Sequence, residues 1–188
     1  MTHTPYLDGV RAGVTPPPEM PLREWVCDNV YLPNSPEGAR YSLDAVPAHA
    51  VIWDWLEDPE VKEVAVVACV GFGKTAILEA WASRIVAVDP GDTLFVGQTA
   101  AMVQDWMESR MRKVWQTSPL TRRYIPTGPE RSNWKKDSVI FRHMNFFAGA
   151  ANITDLQEKS MVNTAGDEVW RWDSGMIDFL LKRHHGRW

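Results

Sequence analysis

One stretch constrains the fold of this chain more than any other. Val64-Ala65-Val66-Val67-Ala68-Cys69 is a run of β-branched and small residues with no polar alternation. That composition predicts a strand buried on both faces of a parallel sheet. Gly71-Phe72-Gly73-Lys74-Thr75 follows, and Ala76 to Val88 then has helical composition. A glycine-rich turn between a buried strand and a helix points several backbone N–H groups at one place, with the helix dipole behind them. The run matches the phosphate-binding loop G-x-x-x-x-G-K-[ST], with Ala68 in place of the first glycine.

The residue types suit a nucleotide. Gly71 and Gly73 supply left-handed backbone and close approach. With Phe72 and Ala76 they frame the site, Lys74 is placed for the β- and γ-phosphates of ATP, and Thr75 for Mg²⁺. Cys69 reads as a small buried residue of the loop.

Downstream, Thr93 to Gly97 predicts a second buried strand and Ala100 to Trp115 a second helix. Strand, helix, strand, helix in this rhythm predicts an α/β fold: a P-loop NTPase-type, mostly parallel sheet flanked by helices. Residues 117–137 are loop-rich. Ser138 to Arg142 and Met144 to Phe147 predict a hairpin, Asp155 to Ser160 a short helix, and Met161 to Ala165 a weak strand. A last helix is expected from about Ser174. Upstream, residues 1–21 read as a flexible proline-rich leader. Residues 22–60 form a lead-in segment with helices at Leu22 to Val30 and Pro47 to Glu57, and residues 61–188 form the core.

A phosphate loop requires a metal-binding carboxylate on a neighbouring strand. Asp167-Glu168, directly after the weak strand, fits that need. Asp167 would hold Mg²⁺ and Glu168 would act as general base on the attacking water.

Composition excludes other classes. The chain is 45% hydrophobic and 23% charged, which rules out disorder and leaves ample core. Two cysteines, Cys27 and Cys69, build no disulfide framework. There is no signal peptide, and the longest apolar run, Val64 to Val70, is far short of the ~20 residues of a membrane span. A cytoplasmic, membrane-free setting is expected. Net charge is −4, but Arg110 to Arg142 holds nine basic residues against Glu130 and Asp137. Arg122, Arg123, Lys135 and Lys136 in that stretch are candidates for contact with nucleic-acid phosphates.

The order of these motifs resembles the large terminase subunit of tailed phages, in its lambda-like branch, over roughly residues 22–185. The residues that carry the likeness are Arg23-Glu24-Trp25, Leu32-Pro33, Pro36-Glu37-Gly38, Pro47-Ala48-His49, the phosphate loop, Gln98-Thr99, Asp105-Trp106, Ser118-Pro119-Leu120, the small-residue turn Ala148 to Asn152, and Asp167-Glu168-Val169 with Arg171. The resemblance implies an ATPase that drives double-stranded DNA into a capsid. It implies a homo-oligomeric ring on the portal protein, working with a small terminase subunit. His49 stands where the family carries a Gln that contacts adenine, which assigns it to the nucleotide. Arg110 is, by position, the candidate for a trans-acting arginine finger. The family's nuclease domain finds no counterpart in the residues present, so the resemblance implies an ATPase region incomplete at its C-terminal side. Two other readings stay open: a helicase-like DNA-dependent ATPase, and a nucleotide-binding module that does not hydrolyse.

Overall fold

The computed structural model describes residues 20–34, 40–157 and 161–182. The leader expected over residues 1–21 and the Pro36-Glu37-Gly38 motif lie almost wholly outside them, as do the far ends of the helices expected to reach Ser160 and Trp188.

The centre is a four-stranded sheet in the order β2-β3-β1-β4, where β1 is Thr93–Gly97, β2 Ser138–Ile140, β3 Asn145–Ala150 and β4 Asn163–Gly166. β1 runs parallel to β3 on one side and to β4 on the other, and β2 closes an antiparallel hairpin with β3. The chain is thus α/β with a mostly parallel sheet, as the sequence predicts. β1 is buried along its whole length. Side chains alternate across it. Phe95 enters a core with Val103, Trp106, Met111, Trp115 and Phe146, while Leu94 and Val96 face Leu156, Met161 and Leu180. Helices therefore cover both faces, giving three layers.

The first face carries α3 (Lys74–Ala87) and a long helix built of α4 (Ala100–Trp106), a π turn (Met107–Met111) and α5 (Arg112–Thr117). Thr99 caps it, its hydroxyl accepting from the Met102 N–H at 3.3 Å. Phe95 stacks on Trp106 with ring centroids 4.0 Å apart, and Trp115 meets Trp134, Phe141 and Phe146 edge-on. The opposite face carries α6 (Ile153–Gln157) and α7 (Met176–Leu181).

Two short helices, α1 (Leu22–Asn29) and α2 (Ala50–Glu57), pack on α3. Pro21 starts α1, and the Leu22 N–H donates to the Glu57 carboxylate at 3.0 Å, so an acid from α2 serves the start of α1. At the amino ends of the strands Asp92 ties three of them. Its carboxylate accepts from the Asn145 N–H at 2.7 Å, and its carbonyl accepts from the Val162 and Asn163 N–H groups.

Three expectations are corrected. Val64 to Cys69 is not a strand buried on both faces. It is extended without ladder partners among the described residues, and Val67 and Val70 are 100% and 99% exposed. Val64 and Val66 alone turn inward, onto the core of α1, α2 and α3. Apolar β-branched composition suits a buried strand, but a strand also needs a lateral partner, and that is a property of the rest of the sheet. Cys69, expected to be buried, is exposed for the same reason. The small-residue segment Ala148 to Asn152, read as a turn, is strand through Ala150: small side chains let β3 lie close beside β1.

No helix among the described residues is long and apolar enough to cross a membrane.

Candidate functional site

β1 and β4 end side by side, with Val96 opposite Gly166 and the Asp167 N–H donating to the Val96 carbonyl at 2.9 Å. The residues just past those ends, Gln98 from β1 and Asp167 and Glu168 from β4, open into a cleft of about 190 Å³. Thr75 from α3 and Arg110 from the π turn line the same cleft, with Phe95, Met102 and Trp106 as its apolar wall. A cleft at the carboxyl ends of parallel strands is where open α/β sheets bind ligands. The fold brings together Thr75, Arg110, Asp167 and Glu168, which are far apart in the sequence.

The glycine loop sits beside this cleft. Gly71 and Gly73 hold φ of +83° and +89°, and α3 starts at Lys74. The Ile77 N–H returns to the Gly73 carbonyl at 3.1 Å, while the N–H groups of Lys74, Thr75 and Ala76 have no backbone acceptor among the described residues. They are the open first-turn donors of a helix, the group of amides that attracts an anion. Lys74 folds back across the loop, its Nζ donating to the Ala68 and Cys69 carbonyls at 2.9 and 2.8 Å. A phosphate would take over those bonds.

Phe72 turns its ring inward against His49, at 4.9 Å between centroids. His49 is 1% exposed and lies behind the loop. Its Nε2 is 2.7 Å from the Phe72 carbonyl and its Nδ1 is 2.6 Å from the Tyr41 hydroxyl. The carbonyl can only accept, so Nε2 carries the proton and Nδ1 accepts from Tyr41. The Trp53 indole N–H donates to the same hydroxyl at 3.1 Å. Burial pushes the Tyr41 phenol far above its usual range, so it stays protonated. Both ring nitrogens of His49 are thus spent on holding the loop's backbone.

The acidic pair carries the strain. Glu168 is the only non-glycine residue with positive φ among the described residues, at φ +50°, ψ +39°. Asp167 Oδ1 accepts from the Glu168 N–H at 2.9 Å, and the Trp172 indole donates to the Asp167 carbonyl at 3.2 Å. Gly166 leaves room for that indole, since a Cβ there would stand 2.5 Å from Trp172 Cη2. Arg171 holds the Glu168 carboxylate at 2.9 Å. Burial raises the Asp167 carboxyl above its ordinary value and the Glu168 charge adds to the rise; the Glu168 N–H, Lys74 and Arg110 oppose it.

The donors available to a metal are the carboxylate of Asp167 and the hydroxyl of Thr75, on the same cleft as Glu168, whose carboxylate is held by Arg171. No group of three or more His, Cys, Asp or Glu is placed to hold a metal among the described residues. A hard oxygen pair of this kind suits Mg²⁺ that arrives with the phosphates of a substrate and keeps several waters.

Sequence reasoning did not find Glu79, Tyr41 or Trp53. Glu79 lies in α3, 2% exposed, and its Oε1 is 2.5 Å from Arg110 Nε. Its signal was present: a lone acid between Leu78 and Ala80 in a helix otherwise built for burial.

The four candidates for nucleic-acid contact lie elsewhere. Arg122 and Arg123 are exposed on the 3₁₀ turn Thr121–Tyr124, and Lys135 and Lys136 are exposed just before β2. The Tyr124 ring packs on His143, 4.6 Å between centroids, which joins that turn to the hairpin bend carrying Arg142. The bend leads into β3, whose start pairs with the start of β1, so Arg122, Arg123 and Arg142 lie at the opposite end of the sheet from the cleft. Lys135 and Lys136 instead precede the start of β2, which pairs with Phe147 of the antiparallel β3, and so lie toward the other end of that edge.

No curated protein and no solved structure matches the chain. A family model does: the ATPase domain of the phage terminase large subunit gpA matches residues 35–178. That span holds the glycine loop, all four strands and the acidic pair, so the chain belongs to the family of phage terminase large subunit gpA ATPase domains.

Proposed function

We propose that this chain binds ATP at the cleft and hydrolyses it as the ATPase of a phage DNA-packaging motor, moving duplex DNA. The observation that carries this reading is the convergence of Thr75, Arg110, Asp167 and Glu168 on one cleft beside the loop of Gly71, Phe72, Gly73, Lys74 and Thr75. The first-turn amides of α3 and Lys74 bind the phosphates. Thr75 and Asp167 would hold Mg²⁺, which when bound shields the phosphate charge and orients the terminal phosphoryl group. Glu168 accepts a proton from water as the water oxygen attacks the γ-phosphorus. The bond to the β–γ bridging oxygen breaks, and ADP and phosphate leave. The Glu168 carboxylate is held by Arg171 until then.

DNA, portal protein and a small terminase subunit are the partners this reading requires, and a homo-oligomeric ring its working form. Exposed Arg122 and Arg123, with Lys135 and Lys136 on the β2 edge, are the surface it assigns to DNA.

The test is ATP turnover by wild type, Lys74→Ala and Glu168→Gln, with and without duplex DNA and portal. The reading expects turnover only in wild type, stimulated by duplex DNA. Equal rates for wild type and Lys74→Ala under every condition would overturn it. Turnover stimulated by single-stranded DNA alone would favour a helicase-like enzyme. The Arg171 grip on Glu168 favours one alternative specifically, a module that binds nucleotide without hydrolysis; nucleotide binding abolished by Lys74→Ala without any turnover would establish it. For DNA, Arg122→Glu/Arg123→Glu should weaken binding and flatten its dependence on salt.

A further inference from the structure

We infer that Arg110 is a cis-acting contact for the terminal phosphate of the nucleotide, aimed by Glu79 from within the same chain. The inference rests on reading the cleft as a nucleotide site, and it replaces the trans-acting role that position alone suggested.

The pair is asymmetric. Glu79 is 2% exposed while the Arg110 side chain is 40% exposed. A carboxylate buried in an apolar helix is costly unless a cation meets it, so Glu79 fixes where Arg110 must be. The contact uses Nε, the inner nitrogen of the guanidinium. Nη1 and Nη2 have no hydrogen-bond or ion-pair partner among the described residues. The side chain is therefore pinned by its root, and Arg110 lines the cleft that Thr75, Asp167 and Glu168 also line. Two parallel N–H donors of this kind match the spacing of phosphate oxygens.

The backbone agrees. Arg110 sits in the π turn, Met107–Met111, that interrupts an otherwise regular helix. π turns are costly and collect at functional sites. Glu79 lies on α3, the helix that begins at the loop, so the Glu79 pair ties Arg110 to the same helix as the loop. Arg110 and Asp167 also line one cleft within the same chain. An arginine destined for a neighbour's site would gain nothing from being anchored beside its own.

A salt bridge that only fastens α3 to the π turn is the competing account. The double variant Glu79→Gln/Arg110→Gln separates the two, because it removes both charges and leaves no buried ion unpaired. Affinities for fluorescent ATP and ADP analogues are measured for wild type, Lys74→Ala, Arg110→Lys and the double variant. The inference expects the double variant to keep ADP affinity within about twofold and to lose about tenfold or more for ATP, the scale of a bidentate charged contact. Arg110→Lys restores part of that loss. Equal loss for ATP and ADP, or no loss for either, overturns it and leaves the fastening role. In turnover assays, Arg110→Gln mixed with Lys74→Ala should stay inactive; recovery of activity on mixing shows action in trans and overturns it. If wild type binds ATP no better than Lys74→Ala, the nucleotide reading itself has failed, and that outcome is distinct from the others.

Discussion

His49 Nε2 donates to the carbonyl of Phe72 at 2.7 Å, so a residue of the lead-in segment holds the backbone of the glycine loop from behind. Trp53, Tyr41, His49 and Phe72 form one directional chain of hydrogen bonds. Tyr41→Phe breaks it in the middle and leaves the Trp53 N–H and His49 Nδ1 without partners. It should cost about 1–3 kcal/mol in urea unfolding, the penalty of stranded buried polar groups. His49→Ala adds a cavity and should cost more. Nucleotide affinity should fall in both variants, although neither residue lines the cleft. An unfolding midpoint within error of wild type for Tyr41→Phe would remove the chain from the account of the loop.

The two loop glycines differ in surroundings. Both lie near φ +85°, so alanine at either costs about 1–2 kcal/mol of backbone strain. At Gly71 a new Cβ meets nothing within 4 Å, but at Gly73 it stands 2.9 Å from His49 Cε1. Gly73→Ala should therefore be the more destabilising by about 1–3 kcal/mol, the scale of overpacking a rigid neighbour. Equal costs in denaturant titrations would show that His49 yields freely.

What was legible in the sequence follows from where each constraint is stored. Lys74, Thr75, Asp167 and Glu168 were singled out because the proposed chemistry demands those residue types beside those elements, and the weak strand Asn163–Gly166 overlaps the expected Met161 to Ala165. That Val64 to Cys69 goes unpaired among the described residues was not legible, because a ladder partner must come from elsewhere in the chain. Glu79 and Arg110 are 31 positions apart and their bond arises only when α3 packs against the π turn. His49 was noticed for its place in a motif, and its structural role as a buried clamp depends on Tyr41 and Trp53, which carry no motif.

Glu168 holds a left-handed backbone that glycine would adopt freely. Glu168→Gly and Glu168→Ala both lose the carboxylate and its pairing with Arg171, so their comparison isolates the backbone. The glycine variant should be more stable than the alanine variant by about 1 kcal/mol in urea unfolding, reversing the usual order for these two residues. A more stable alanine variant would mean that the turn after β4 relaxes when the acid is removed. Neither variant should turn over ATP under the proposed mechanism.

The acidic groups of the cleft make stability depend on pH in a definite direction. Burial raises the Asp167 carboxyl, with the Glu168 charge assisting, and burial also raises Glu79 against the opposing pull of Arg110. A carboxyl whose native pKa exceeds its unfolded value binds more protons in the native state. Unfolding free energy then falls as pH rises from about 4 through the raised native values. Asp167→Asn removes one of these groups while its amide oxygen can still accept from the Glu168 N–H. The variant and wild type should match in stability at low pH, where both side chains are neutral. The variant should gain as pH rises, reaching a higher melting temperature than wild type at pH 7. Urea midpoints across a pH series check this, and a difference that stays constant with pH would show that the carboxyl titrates normally. The same substitution removes the carboxylate assigned to Mg²⁺, so the gain in stability should come with loss of ATP turnover, as expected where a charge is kept in a costly place for its function.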